Sequence, residues 1–592
     1  MEDTYVIAID YGTQSVRVSI VNKFGKFLAF EQEQYKSPYF SMKPGYAEQN
    51  PDFYYECMCK AAKRLTEKNK ELVKKCSSIS ATCFRDSSCF LDENYSNLRP
   101  AIIWLDQRQA ELKKPLPLIN NFLFWVVGMK DAVTLNRKRT PAIWVQENEP
   151  EIWKKVRYYS PLSSYLNYRL IGILGDSASN MIGHYPINFR TGKWTGKYNL
   201  KGSIFNVDSR LMPHIYEAGE VIGAISKRAS LETGLPEGLK YIATGNDKSC
   251  EAFGSGQIDS SSAHISYGTA SSIAVINKRY YEPEKFLPAY ITGFPGYYSL
   301  EYQVYRGYWM LKWFVKEFGE ADSVEAKIEK MAPEEFLNKK IMEIAPGSDG
   351  LVLQPYWGPG LSRPLAKGAI VGFYDVHTKY HLYRAIIEGI GYALKEGLES
   401  IQKRSHTKVE YITIGGGGSK SDAICQITSD LFNLPVFKSE TNENSTLGCA
   451  ACQFLALGTY KNLEEVKKNM VRYDKVFTPN KEAVKVYEEL YKKVYLQIYP
   501  GLERPYKSLS HIKERNNKET KKEAVRKLNK NWVTDSSFYF LLLRYSFLIF
   551  LFGCTSFLNV RLCKILNLGF LKLSGRASTG AYQYVFMIFP FK

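Results

Sequence analysis

Histidine is scarce in this sequence, seven residues in 592, and that scarcity removes much of the usual enzyme chemistry. No Ser–His–Asp signature or nucleophile elbow occurs. His377 and His381 are four apart but have no neighbouring Glu to complete a zinc-protease helix, so structural roles are expected for both. Also missing are the Gly-x4-Gly-Lys-Ser/Thr loop and the catalytic loop of protein kinases, which excludes two common ways of gripping ATP. No basic-then-apolar leader precedes the first strand pattern, so a cytoplasmic location is expected rather than export. The eleven cysteines are odd in number and scattered, which disfavours a disulfide framework. Cys449-Ala-Ala-Cys452 has redox spacing, but it sits in a small-residue helical stretch and reads as core packing.

A formal charge of +19 suggests nucleic acid until its distribution is examined. Residues 507–592 hold 15 Lys/Arg against 4 Asp/Glu and so supply +11 of it. The remaining +8 is spread over 506 residues, with no basic stripe interleaved with stacking aromatics. A small-molecule partner is therefore expected, and no nucleic acid. The tail turns from Lys-rich to almost wholly apolar over residues 538–558, about the length that spans a bilayer, but Arg544 inside it would be costly there. Membrane association is thus not expected unless through that segment, and the tail otherwise reads as an atypical extension without recognisable chemistry.

What is present is a globular composition, 45% hydrophobic and 23% charged, in a chain long enough for several cores. The run Val6-Ile7-Ala8-Ile9-Asp10-Tyr11-Gly12-Thr13-Gln14-Ser15 reads as a strand entering a Gly-Thr turn, followed by a second alternating strand. The pattern recurs at Ala263-His264-Ile265-Ser266-Tyr267-Gly268-Thr269, as expected of a duplicated domain. Helices are predicted over 52–74, 141–156, 305–318, 380–404 and 421–432, with strands at Ala101-Ile102-Ile103-Trp104 and Tyr411-Ile412-Thr413-Ile414. Alternating strands and helices point to α/β layers.

Phosphate binding needs close backbone N–H donors, which glycines at strand–turn junctions supply without a Cβ in the way. Gly12, Thr13 and Gln14 on one side and Gly268 and Thr269 on the other are candidates; each glycine alone could equally make only a tight turn. Gly415, Gly416, Gly417 and Gly418 lie between an apolar strand and a helix and could approach a nucleotide, or serve as a flexible connection. Asp247, after a short strand, suits the general base that phosphoryl transfer to an alcohol requires, although a helix N-cap is the commoner role for such an Asp. Asp10 could orient hydrated Mg²⁺. Sugar recognition combines planar hydrogen-bonding groups with an aromatic wall, and Arg85-Asp86 and Trp104-Leu105-Asp106-Gln107-Arg108 are candidates. Surface ion pairs and a half-buried Trp are the alternatives there.

Taken together these segments resemble the FGGY carbohydrate kinases, the family of xylulokinase and glycerol kinase. The likeness runs from about residue 5 to about 505. Asp10-Tyr11-Gly12-Thr13-Gln14-Ser15 resembles the first phosphate motif, and Pro44-Gly45-Tyr46-Ala47-Glu48-Gln49-Asn50-Pro51 resembles the Pro-Gly-Trp-x-Glu-x-Asp-Pro segment. The run from Ala101 to Arg108 resembles the Trp-x-Asp-x-Arg segment beside the sugar. Gly368-Ala369-Ile370-Val371-Gly372 through Glu388 is similar to the C-terminal signature. The four glycines from Gly415 resemble the adenosine-binding turn.

The resemblance implies two actin-like (ribonuclease H-like) domains of α/β class with a cleft between them. It implies an N-terminal sugar-side domain over 1–258, a C-terminal nucleotide-side domain over 259–505, and the tail over 506–592. It also implies ATP and Mg²⁺ as cofactors, a small sugar or polyol such as a ketopentose as substrate, Asp247 as base and Asp10 at the metal. Arg85, Asp86, Trp104, Asp106 and Asp247 would meet the substrate, and a homodimer stays open. The sequence departs from the pattern at Lys248, where the family has Asn or Gln, and at Arg85-Asp86, where members have Met-His or Arg-Glu. A catalytically silent actin-fold sugar sensor, tethered by its tail, and a protein-directed ATPase are the rival readings.

Overall fold

The segment Val6-Ile7-Ala8-Ile9 is apolar on both faces, and a strand of that kind is stable only between two layers. It forms the centre of β1 (Tyr5–Tyr11), whose residues from Val6 onward are buried. β2 (Ser15–Asn22) and β3 (Phe27–Gln34) continue antiparallel from it, with Ile7 opposite Ile20 and Asp10 opposite Arg17. On its other edge β1 pairs in parallel with β4 (Cys76–Cys83), and β5 (Val221–Ala224) and β6 (Lys240–Ile242) complete a six-stranded sheet in the order β5-β6-β4-β1-β2-β3. The computed structural model describes residues 4–534 apart from Phe286, Pro359, Leu361 and Ser362.

The second Tyr-Gly-Thr run builds the same arrangement. β7 (Ser262–Tyr267) is fully buried and pairs antiparallel with β8 (Ser271–Asn277). Its other edge pairs in parallel with β11 (Tyr411–Gly415). With β9 (Tyr290–Ile291), β10 (Tyr298–Val304), β12 (Val436–Ser439) and β13 (Tyr473–Phe477) it makes a seven-stranded sheet ordered β9-β10-β8-β7-β11-β12-β13. In both sheets a buried central strand has an antiparallel hairpin on one side and a parallel strand on the other, which is what duplication of one unit produces.

Several helices are shorter than the periodicity predicts, for local reasons. The 52–74 pattern divides at Asn69 into α1 (Pro51–Lys68) and a five-residue helix. The 141–156 pattern breaks at Glu149, because a residue before proline is driven out of the helical region and Pro150 follows. The helix predicted from 305 starts at Trp309, since the turn before it is tied elsewhere: Tyr308 N–H donates to Gly268 O at 3.0 Å and Trp309 N–H to Thr269 O at 3.3 Å. The strand at Ala101 is only Ala101–Ile102.

Two glycines decide how the halves join. α2 (Asp247–Gly254) and α5 (Asn444–Ala456) cross backbone against backbone, because a Cβ at Gly448 would overlap the Cys250 carbonyl and one at Gly254 the Asn444 carbonyl. α5 also lies on the first sheet, where Gln453 Nε2 donates to Ile7 O at 3.0 Å and Gln453 Oε1 accepts from Ser78 Oγ at 2.8 Å. One apolar cluster therefore holds Val6 and Ala8 with Cys250, Phe253, Leu447 and Cys449. Cys449 and Cys452 are buried and unbridged, as packing residues would be. The long α3 (Lys379–Ser405) and α4 (Asp422–Phe432) cover the second sheet.

His377 precedes α3, with Nδ1 accepting from Tyr374 N–H at 3.0 Å, and His381 sits in its first turn, where Nδ1 closes a capping box with Thr378 and Nε2 meets Asp349 Oδ2 at 3.0 Å, so both have structural work. Contacts divide the chain into two units, Met1–Lys507 and Ser508–Lys592. No helix among the described residues is long and apolar enough to cross a membrane, and the 538–558 segment lies outside them.

Candidate active site

Asp247 opens α2, just past the end of β6. Asp and Asn are both good N-caps, and here Asn246 takes that position: its Oδ1 accepts from Lys248 N–H at 3.0 Å and Ser249 N–H at 3.1 Å. The N-cap alternative for Asp247 is thereby corrected. Asp247 stands one residue inside the helix, with a buried Oδ1 that has no hydrogen-bond partner. Burial pushes its carboxyl above the usual range, while the Lys248 and Arg85 cations pull it down. The positive end of α2 favours the ionised form.

Asp10, at the end of β1, is buried and faces Arg17 across the β1–β2 pair, with Arg17 Nη1 at 2.8 Å from Asp10 Oδ2. Arg17 Nε reaches Glu443 Oε2 at 3.0 Å, just before α5. Burial raises the Asp10 carboxyl to about 6, Arg17 opposes this, and the charge of Asp247 adds to it. The two carboxylates are thus electrostatic neighbours. The turn after β1 is tight: Gly12 N–H donates to Ser15 O at 3.0 Å, Thr13 Oγ1 accepts from Trp104 Nε1 at 3.2 Å, and Gln14 is exposed.

The second turn, Gly268-Thr269, lies against the 415–418 segment, which is a fixed turn rather than a flexible connection. Gly416 has φ +76°, and a Cβ there would sit 2.6 Å from Tyr267 O; one at Gly418 would sit 2.6 Å from the Tyr308 ring. Gly417 meets only ordinary contact, at 4.0 Å, and Gly415 abuts Glu251, with Oε1 at 2.6 Å from its absent Cβ. These glycines let backbone stack on backbone beside the turn.

On the other side of Asp247 the expected Arg85-Asp86 pair is two separate devices. Arg85 makes a bidentate pair with Glu301 of β10, at 2.8 and 2.7 Å, joining the two halves of the chain. Asp86 has φ +56° and accepts from His184 N–H at 3.1 Å, with His184 Nδ1 at 2.8 Å. Gly183 is needed beside it, because a Cβ there would overlap the Asp86 carboxylate. Trp104 is half-buried and reaches Thr13, so it links the Ala101–Arg108 segment to the first Gly-Thr turn.

Asp106 is not a surface group. Its side chain is 4% exposed and its oxygens accept from Ala47 N–H at 2.6 Å, Arg108 N–H at 2.9 Å and the Arg108 guanidinium at 2.7 and 2.8 Å. Arg108 in turn lies 3.9 Å from the Tyr46 ring centroid. The Pro44–Pro51 and Ala101–Arg108 motifs thus brace one another, and Asp106 has no free acceptor to offer a ligand. Arg17, Glu443, His184 and Glu301 carry much of this geometry and were not singled out from sequence; the Glu301 partner lies 216 residues from Arg85.

Residues 5–254 match the model of the FGGY family of carbohydrate kinases, N-terminal domain, and residues 263–457 match its C-terminal domain. The chain belongs to the FGGY family of carbohydrate kinases. The xylulose kinase of Bacillus subtilis (strain 168) is 27% identical over 504 residues, covering 83% of this chain and 96% of that protein. Among solved structures, the gluconate kinase of Lactobacillus acidophilus superposes with a TM-score of 0.71 at 22% identity, over 86% of this chain and 100% of that one. The Plasmodium falciparum glycerol kinase with ADP does so at 0.66 and 20% identity, over 83% and 98%. The fold is the two-domain actin-like one, and the enzyme is a phosphotransferase with an alcohol acceptor that uses ATP. Xylulose, gluconate and glycerol name three acceptors, so the site itself must discriminate among them.

Proposed function

We propose that this FGGY kinase transfers the γ-phosphate of ATP to a hydroxyl of a small neutral sugar or polyol, a ketopentose such as xylulose being the first to test. The observation that carries the reading is the unpartnered, buried Oδ1 of Asp247 at the start of α2, electrostatically coupled to Asp10, Arg85 and Lys248. A general base must present an unengaged oxygen to the hydroxyl it activates.

Asp247 takes the hydroxyl proton; the hydroxyl oxygen bonds to the γ-phosphorus as its bond to the β,γ-bridging oxygen breaks, and ADP leaves. Gly12, Thr13, Gln14, Gly268, Thr269 and the 415–418 turn line the nucleotide side. Arg85, Asp86 and Trp104 line the sugar side, with Asp106 bracing the segment that carries Trp104. Residues 1–258 and 259–505 serve as the sugar-side and nucleotide-side domains.

Mg²⁺ fits Asp10, a buried carboxylate, and Asp247, a half-buried one with an orphaned oxygen, and no group of three or more His, Cys, Asp or Glu residues suited to a metal occurs among the described residues. An ion held through few protein oxygens and several waters is typical of Mg²⁺, and its contribution is to offset phosphate charge. A neutral acceptor is favoured because Glu301 already cancels the Arg85 charge. Nothing in the site supports the silent-sensor alternative.

The test is ADP release by the full chain with ATP and Mg²⁺ against ketoses, aldoses, polyols and aldonates. Asp247→Asn should lower kcat with the best acceptor by about 10³-fold while ATP affinity stays within roughly threefold. Near-normal turnover by that variant would remove Asp247 from the mechanism.

A further inference from the structure

Lys248 follows Asp247 in the first turn of α2, and its surroundings give it a specific task. Its Nζ lies 2.9 Å from Glu251 Oε2 and 2.8 Å from Ser266 Oγ, and Ser266 Oγ itself donates to Glu251 Oε2 at 2.6 Å. Glu251 is buried, whereas the Lys248 side chain keeps 25% of its surface exposed. An ammonium has three donors, and two are engaged by these partners. No protein acceptor for the third appears among the described residues. That ammonium stands 3.9 Å from where a Cβ on Gly268 would be, at the second Gly-Thr turn.

The first turn carries a matching cation, since Arg17 Nη1 lies 3.3 Å from the absent Cβ of Gly12 and is held by Asp10 and Glu443. Each Gly-Thr turn therefore has one cation beside it, fixed by carboxylates so that its remaining donor is pre-oriented. A solvated surface lysine would not need the buried Glu251–Ser266 support.

Resting on the kinase reading above, we infer that Lys248 is a phosphate-contacting residue whose free N–H binds the γ-phosphoryl group of ATP beside Gly268. It adds a charge-assisted hydrogen bond to an oxygen of the group in flight, while the hydroxyl proton goes to Asp247 and ADP departs with the bond electrons.

The test compares the affinities of the full chain for ADP and for the β,γ-imido analogue of ATP, each with Mg²⁺ and without sugar. Lys248→Gln should weaken the analogue by about ten- to a hundredfold and ADP by less than about twofold. With the best acceptor, kcat should fall while the sugar KM stays within about twofold. Lys248→Arg should keep the preference for the analogue. Because Gln at 248 leaves Glu251 buried without its cation, the double variant K248Q/E251Q, which leaves no orphan charge, carries the same measurement if the single variant melts. Equal weakening of both nucleotides, or of neither, overturns the assignment. A γ-specific loss in a chain that phosphorylates no sugar would sink the kinase reading and leave Lys248 in place.

Discussion

Replacing Glu301 by Gln asks whether the acceptor must be uncharged. In the structure both oxygens of Glu301 are taken by Arg85, with the two side chains 5% and 11% exposed, and Arg85 is electrostatically coupled to Asp247. Gln keeps the shape but removes the charge and one acceptor. Breaking a buried pair from one side costs about 3–5 kcal/mol, and the low end applies because the amide oxygen still accepts one bond. The urea midpoint should fall accordingly. The freed guanidinium charge then faces the acceptor, and a charge-assisted hydrogen bond to a sugar carboxylate is worth about 1.5–3 kcal/mol, or roughly 10- to 150-fold. The ratio of kcat/KM for an aldonate to that for the best neutral acceptor should rise by that factor at fixed ATP and Mg²⁺. Arg85→Gln should lower stability without any gain for the aldonate. If Glu301→Gln loses stability but the ratio does not move, Arg85 does not face the acceptor and the argument for neutrality fails.

Three other predictions concern the stability of the fold. Gly448→Ala forces a methyl onto the Cys250 carbonyl at the crossing that orients α2, so a loss of about 2–3 kcal/mol or more in urea unfolding and a parallel loss of turnover are expected. Gly196→Ala, with nothing within 4 Å of its Cβ, should shift stability by less than about 0.5 kcal/mol. His264 is buried on β7 with Nδ1 3.0 Å from Thr413 Oγ1, and burial pushes it down to about 4 from its ordinary 6.5. The unfolded chain takes up this proton first, so stability present above pH 6.5 should be lost by about 3 kcal/mol as pH falls toward 4. His264→Gln should flatten that part of the pH–stability curve; an unchanged slope would mean that His264 does not titrate between the states.

The duplicated strands were legible because their signal is local. A run such as Val6-Ile7-Ala8-Ile9 with no polar face can only be an interior strand, and its recurrence before Gly268-Thr269 told of a second sheet. The helix crossing was not read from the sequence. The small-residue stretch around Cys449 and Cys452 reads only as core packing, and nothing local says that Gly448 meets Cys250 of α2 or that Gly254 meets Asn444 of α5. Long-range charge pairing left no such trace. Arg85 next to Asp86 reads as a pair along the chain, but a contact from the bend after β4 to Glu301 on β10 outcompetes it, and Asp86 turns to His184 instead.

The position of Asp247 shows how a tertiary contact settles a chemical role that the neighbouring residues leave open. Asn246 and Asp247 are both N-cap residues by preference, so helix-capping rules alone do not choose between them. The choice follows from the Asn246 amide, whose Nδ2 donates to Ser179 O at 2.7 Å, an acceptor 67 residues away; a carboxylate at 246 could not make that bond. Once Asn246 is locked as the cap, it accepts from the Lys248 and Ser249 N–H groups of α2, and the acid that follows keeps one buried oxygen, Oδ1, without a partner. An unsatisfied buried carboxylate oxygen costs stability, and at the first turn of α2 it is left open to a group from outside the chain, which is what the proposed role as base requires.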